Sequence, residues 1–524
     1  MKKIDKNDQL QQTFNLVFLI CIVDMSQKLY LGIDIGTYET KGVLVNIRGE
    51  VISQSAKKHQ MIVPQSGWAE HRPIEDWWGD FTFISNDLIK KSGCDPKLIQ
   101  AVTTSTIGPC MLPVDKEGKP LMNAVLYGVD TRAYKEIEYL NKTIGKEKIF
   151  KFNGNSLTSQ QVGPKILWLK NNRPEIFSKT YKIVNGTTFI NLKLTGNYTI
   201  DHFTAAFIGP LYDIQKQEWS NELLNDLIDL EQLPKLVWTN EIIGEVNEKA
   251  SKETGLAKGT PVVAGTCDAA AEALSVGVSG PGDMMMMYGS TMFFISITDT
   301  ILSDERLWYA PWLFQGEHSL MGGLATSGTL THWFKNELAK DVQGDDAFNR
   351  LAKEAEQSSP GSNGIVFLPY FSGERTPIHD THAKGSFFGL NLTHKRADIY
   401  RSIFEGIAYG TKHVFDTFEE INNLPKNLYS VGGGTKNAIW SQTISDIIGL
   451  NQILRKNTFG ASYGDAFLAA YAVGDIKKED INKWNPIDHE IKVHNKSKEV
   501  YNKGYKYFRK LYENTKDIMK EMDQ

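Results

Sequence analysis

Cysteine is scarce in this chain: four in 524 residues, at Cys21, Cys94, Cys110 and Cys267. No two of them make a CxxC pair or a zinc spacing, which excludes a disulfide scaffold and fits a reducing compartment. Cys267 therefore reads as a small buried residue. Long apolar runs are missing too. The run at 16–23, preceded by Lys2, Lys3 and Lys6, is too short to span a bilayer. No small-residue cleavage site follows it, so it is not a signal peptide. Met25 stands just ahead of the first strand pattern. It reads as the natural start, with 1–24 an unstructured N-terminal extension. Excess positive charge is also lacking. The formal net charge is −4, without the concentrated basic face that nucleic acid requires. The expected location is cytoplasmic, with neither nucleic acid nor membrane as partner.

What is present is a globular balance: 41% hydrophobic and 23% charged residues, in a chain too long for one core. The segment 29–45 reads as an apolar strand, a small polar turn and a second apolar strand. Its turn carries Asp34-Ile35-Gly36-Thr37, then Thr40 and Lys41. Glycine amides, Thr hydroxyls and a Lys can line a polyanion, and Asp34 is placed to hold Mg²⁺, which takes one or two carboxylates plus phosphate oxygens and water. Val51–Lys58 reads as the next strand. The segment 74–91 reads as a helix with Pro73 in its first turn and Trp77, Trp78, Phe81, Phe83 and Ile84 as its apolar face. Farther on, a strand at 260–265 leads into Asp268 and a small-residue helix at 269–276. That arrangement exposes Asp268 at a strand end beside a helix N-terminus, a common place for ligand sites in α/β folds.

The second half repeats the theme. A strand at 283–288 leads into Gly289-Ser290-Thr291 and another strand; Ser327-Gly328-Thr329 opens a helix; Gly432-Gly433-Gly434-Thr435-Lys436-Asn437 links a strand to a helix. The boundary is placed at Ser279-Gly280-Pro281-Gly282, giving domains at 25–280 and 281–524. The segment 284–287, four methionines, reads as a buried strand rather than a soft-metal strip. His379 and His382 beside Asp380 read as a structural loop, and 495–524 as a terminal helix.

Five motifs in order now carry a resemblance. They are the turn at 34–41; Gly67-Trp68-Ala69-Glu70-His71 with Trp77-Trp78; Asp268; Leu368-Pro369-Tyr370-Phe371-Ser372-Gly373-Glu374-Arg375-Thr376-Pro377 with Gly385-Ser386-Phe387-Phe388-Gly389-Leu390; and the turn at 432–437. From about 29 to about 474 the chain resembles the FGGY family of carbohydrate kinases, within the actin-like ATPase superfamily. The resemblance implies an α/β fold of two actin-like (ribonuclease H-like) domains around a central cleft. It implies ATP and Mg²⁺, a small-molecule sugar as partner, and leaves assembly as a homodimer open. Asp34 would be the metal ligand. Gly36, Thr37, Thr40 and Lys41 would form the first phosphate loop, and Gly289, Ser290 and Thr291 the second. Gly328 would approach the ATP phosphates, and Gly433, Gly434 and Asn437 the adenosine. Asp268 falls on the position of the catalytic base and contacts the sugar. The sugar loops would be Ile107 and Gly108, with Tyr127, Asp130 and Arg132; Glu70 is a further polar group within their reach.

Departures from the family pattern fall on the sugar. Members acting on xylulose carry Met-His where Ile107-Gly108 stands, and many carry a Trp at the place of Gly128, which leaves space there. Tyr38-Glu39 replaces small residues. The resemblance implies a kinase for a ketopentose such as xylulose, with ribulose, another polyol or an aldonate as alternatives. A nucleotide-switch protein of the actin type would lack the segment 368–390, and a degenerate sugar sensor would lose Asp34 or Asp268.

Overall fold

The structure, a computed structural model, describes residues 28–523. The expectations for 1–24 and for Met25 lie outside them. The chain divides into two compact units. The first comprises residues up to Ser275, with Leu313–Gln315 and Phe459–Asn485; the second comprises Val276–Trp312, Gly316–Thr458 and the chain from Pro486. The boundary read at 279–282 therefore lies a little past the point of division, and the segment Phe459–Asn485 belongs with the first unit rather than the second.

The first unit is built on a mixed sheet. Edge to edge its strands are Ile242–Glu245, Pro261–Val263, Ile99–Thr106, Leu29–Ile35, Glu39–Asn46 and Val51–Lys58, with Thr266–Cys267 beside Ile99–Thr106. Leu29–Ile35 is central: antiparallel to Glu39–Asn46 and parallel to Ile99–Thr106. It is buried on both faces, so it reads as a near-continuous apolar run. Two glycines let helices close on the two faces. A Cβ on Gly42 would stand 2.3 Å from Ile84 of the helix Gly79–Ser92, and one on Gly32 would stand 1.9 Å from the Ser462 carbonyl of the helix Ala461–Ala472.

The expected helix at 74–91 forms as a helical turn Pro73–Trp78 continued by Gly79–Ser92 and ends at Gly93, which has φ 64°. Trp77, Phe81 and Ile84 are buried, but Phe83 is 47% exposed. Two residues from Phe81, it falls on the outward side of a 3.6-residue turn, under the Lys57 ammonium.

The second unit repeats the plan. Its sheet runs Trp308–Pro311, His318–Leu324, Met292–Thr298, Asp283–Tyr288, Asn427–Val431, Gln452–Arg455 and Ile487–Ile491. Asp283–Tyr288 is again antiparallel to the next strand in sequence and parallel to a later one. Met284, Met285 and Met286 are buried in it. The helix Arg396–Glu420 supplies the main core face of this unit, and Lys498–Glu521 is the expected terminal helix. His379 Nε2 faces the Arg306 carbonyl and His382 Nδ1 faces Asp523, so the two rings have separate partners. Among the described residues no helix is long and apolar enough to cross a membrane.

Candidate active site

In the first unit the sheet topology assembles a group of carboxylates. Asp34 is the penultimate residue of its strand, registered against Lys41 on one side and Ser105 on the other. Ser105 Oγ lies 2.6 Å from Asp465 Oδ2 and 3.3 Å from Asp34 Oδ1, and the Ser105 N–H donates to Asp465 as well. Asp465 comes from the helix Ala461–Ala472. Its other oxygen, Oδ1, is buried without a partner. Asp268 opens the helix Asp268–Ser275, where the Ala269 N–H holds its Oδ1 at 2.7 Å. A Cβ on Gly464 would stand 2.0 Å from the Ala271 carbonyl, so small residues set the close crossing of these two helices.

The electrostatics follow from burial. Burial lifts Asp34 well above the usual carboxylate range, helped by the charges of Asp268, Asp465 and Glu272 and opposed by Lys41. Burial pushes Asp268 up to about 6 against the pull of the backbone N–H groups. Glu272 rises to about 7, first by burial and, against Lys41, by the Asp268 charge. A negative field of this kind attracts a divalent cation and rejects a bare phosphate. Among the described residues no three His, Cys, Asp or Glu side chains converge as ligands. The donor set thus fits a cation that brings most of its shell as water and phosphate oxygens, the habit of Mg²⁺.

The other expected residues of this unit separate into two groups. Tyr127 Oη lies 3.2 Å from Thr37 Oγ1, and its hydroxyl feels the Asp268 charge. Gly108 has the Tyr127 ring beside it, where a Cβ would come within 3.6 Å. Ile107 is buried, its N–H on the Ile35 carbonyl. Lys41 pairs with Glu39 at 3.4 Å. Thr40 needs correcting: its hydroxyl is fully buried and donates to Asp80, so it does not line the turn. Asp130, Arg132 and Glu70, expected within reach of the sugar, are engaged with one another. Arg132 is forked onto Asp130 and reaches Glu70 at 2.9 Å, with both its own side chain and that of Asp130 wholly out of solvent. Its guanidinium is stacked on Trp68, 3.8 Å from the ring centre, with Trp168 behind.

Two neighbours went unread in the sequence. The Lys165 ammonium donates to the Leu126 and Tyr127 carbonyls, and burial lowers its pKa to about 8. The space expected at Gly128 is filled by Gln160: its Oε1 accepts the Gly128 N–H, and a Cβ on Gly128 would lie 2.5 Å from its amide nitrogen.

The second unit carries a cavity of about 440 Å³. Gly289, Ser290, Gly328, Gly433, Gly434 and Asn437 all line it. Thr291 is outside that lining and exposed. Gly328 has to be glycine, because a Cβ would be 2.5 Å from the Gly289 carbonyl; Gly434 likewise meets Trp440 at 2.4 Å. Asn437 caps the helix Ala438–Ile448 through the Trp440 N–H. Sequence reading missed the aromatic wall of Tyr288, Phe348 and Trp440. Such flat rings suit a purine.

Each unit carries a sheet with a glycine turn after its central strand, the first with an acidic strand end and the second with a pocket, which is the arrangement of a phosphotransferase class. The chain matches the N-terminal domain of the FGGY family of carbohydrate kinases over residues 29–275 and its C-terminal domain over 284–473. It belongs to the FGGY family of carbohydrate kinases, and its substrate is a small-molecule sugar. A xylulose kinase of Bacillus subtilis is 27% identical over 496 residues, 94% of this chain and 98% of the relative. A gluconokinase of Bacillus subtilis is 27% identical over 460 residues, 86% and 88%. The crystal structure of xylulose kinase from Rhodospirillum rubrum matches with TM-score 0.88 at 27% identity, covering 94% of this chain and 100% of that one.

Proposed function

We propose that this kinase phosphorylates a hydroxyl of a ketopentose, with xylulose the best single sugar, ATP as donor and Asp268 as general base. The observation that carries the reading is Asp268 itself. It is a half-buried carboxylate fixed by one amide, with a pKa near 6. Such a group is ionised at neutral pH yet basic enough to take a proton from an attacking hydroxyl. Mg²⁺ would be held by Asp34 with phosphate oxygens and water, and would neutralise charge on the transferring phosphoryl group. Gly36, Thr37 and Lys41 line the phosphate side, and Gly289, Ser290 and Gly328 act likewise in the second unit. Gly433, Gly434 and Asn437 hold the adenosine. Tyr127, Gly108 and Ile107 bound the sugar, while Asp130 and Arg132 shape its loop from behind.

The gluconokinase relative raises an aldonate as a second substrate. Charge argues against it. An aldonate brings a carboxylate toward Asp34, Asp268, Glu272 and Asp465, while Lys41, the cation facing this group, is paired with Glu39, and Arg132 and Lys165 donate to protein acceptors. Within the ketopentoses, Ile107 and Gly108 supply no imidazole, and losing a polar partner relaxes discrimination. The test is kcat/KM by coupled ADP release for D-xylulose, D-ribulose, L-ribulose, erythritol and D-gluconate. The expected result is activity on several ketopentoses, with D-gluconate lowest. A preference for D-xylulose above all others by more than about 10³-fold overturns the reading of the sugar loop, and D-gluconate as best substrate overturns the charge argument.

A further inference from the structure

The first phosphate turn is backed by two histidines that the reaction itself does not require. His59 Nε2 lies 3.0 Å from the Gly36 carbonyl, and His71 Nε2 lies 3.0 Å from the Thr37 carbonyl. A ring nitrogen opposite a carbonyl oxygen must donate. His71 is fixed in that tautomer because Trp77 Nε1 donates to its Nδ1 at 3.1 Å. Burial keeps it neutral, with a pKa of about 4. His59 Nδ1 faces Asp80 at 2.8 Å, a carboxylate that also receives Thr40 Oγ1 and Lys57 Nζ; with acceptors on both sides, the ring satisfies both only as the doubly protonated donor. The two rings meet edge to face at 4.9 Å. Both are almost wholly buried.

In a trans peptide the N–H points opposite the C=O. Fixing the Gly36 and Thr37 carbonyls toward the histidines therefore aims the N–H groups of Thr37 and Tyr38 the other way. Among the described residues no protein acceptor stands opposite either N–H. Two successive free amides make an anion-binding concavity. The second unit gives an internal comparison. There the corresponding carbonyls, Gly289 and Ser290, accept from the backbone N–H groups of Gly328 at 3.0 Å and Ser327 at 2.9 Å. The Thr329 hydroxyl also donates to the Ser290 carbonyl at 3.0 Å, so the second unit uses main chain plus one hydroxyl where the first uses two histidines.

We propose that His59 and His71 are positioning residues for phosphoryl transfer, holding the Gly36 and Thr37 carbonyls so that the Thr37 and Tyr38 amides face phosphate oxygens of ATP. This rests on reading 34–41 as a phosphate turn. The test compares His59→Met and His71→Met, which remove the donor at similar volume, with His71→Gln, whose amide can donate to Thr37 and accept from Trp77. KM is measured for ATP and for D-xylulose, or for whichever screened sugar turns over fastest, with thermal melts as the folding control. Each methionine variant is expected to raise the KM for ATP about tenfold or more, the scale of one hydrogen bond to a charged group, with the sugar KM inside about twofold. His71→Gln is expected to recover most of the loss. A folded methionine variant with unchanged ATP KM, or with both KM values raised alike, overturns the proposal. Should the methionine variants not fold, His59→Phe and His71→Phe, which keep a ring and remove the donor, decide: an unchanged ATP KM overturns it. Asp34→Ala separates the two readings. If it leaves the Mg²⁺ titration of activity unchanged, the phosphate-turn reading fails. If it weakens that titration while the histidine variants keep a normal ATP KM, only the histidine role fails.

Discussion

Replacing Asp268 by Asn tests the chemistry most directly, because it keeps the shape and removes the basic oxygen. The Ala269 N–H still finds the side-chain oxygen, so the helix start should survive. A positioned general base contributes roughly 10²–10⁴-fold. We expect kcat to fall by at least about 10²-fold, near 2.7 kcal/mol of barrier, with ATP affinity by calorimetry inside about threefold of wild type. The pH profile gives an independent reading. Asp268 is raised to about 6, and it serves as a base only after losing its proton, so wild-type activity is lost as pH falls through that value. That value belongs to the free enzyme, so the acid limb is read in kcat/KM, which should fall about tenfold for each pH unit well below about 6. The residual activity of Asp268→Asn should lack this acid limb. The assay is coupled ADP release across pH 5 to about 9 over a range of sugar concentrations, giving kcat/KM at each pH. A variant within about tenfold of wild type, or one that keeps the same acid limb, refutes the assignment.

Asp34→Ala should move the Mg²⁺ dependence of activity to higher concentration and recover partly when Mg²⁺ is raised, since one carboxylate of a sparse shell is gone; an unchanged titration would make Asp34 structural. Gly464→Val should lower the melting temperature, because its Cβ would stand 2.0 Å from the Ala271 carbonyl and forcing the helices apart costs about 1–3 kcal/mol or more. A wild-type melt would show that this crossing is not tight.

The strands, the glycine turns and both aspartates were legible because each leaves a local mark: an apolar run, a turn residue without a side chain, a carboxylate at a strand end. What failed was local sequence applied to long-range neighbours. Thr40 sits in a turn-like string of small residues, yet the pairing of Ile35 with Thr40 places it in a strand, with its hydroxyl on Asp80 of the helix Gly79–Ser92. Gly128 promised open space, but Gln160, thirty-two residues on, fills it. Asp465 carried no signal at all. It enters the acidic group because the helix Ala461–Ala472 closes on the first sheet over Gly32. Arg132 was read as a sugar-loop residue from the resemblance and its polarity, and its partners Asp130, Glu70 and Trp68 were all in view in the sequence.

The two units share strand order and turn position, yet they expose their turns to mutation differently. In the second unit the carbonyls behind the turn are held by main-chain N–H groups, which any residue except proline supplies. The tight fit at Gly328 and the Thr329 hydroxyl on the Ser290 carbonyl constrain the side chains there. In the first unit the same carbonyls depend on His59 and His71, and through them on Asp80 and Trp77. The functional reach of the first turn thus extends into the buried core of its unit, to residues that no phosphate touches. A substitution at Asp80 or Trp77 would be expected to look like a core mutation by its burial and to act on ATP by its kinetics.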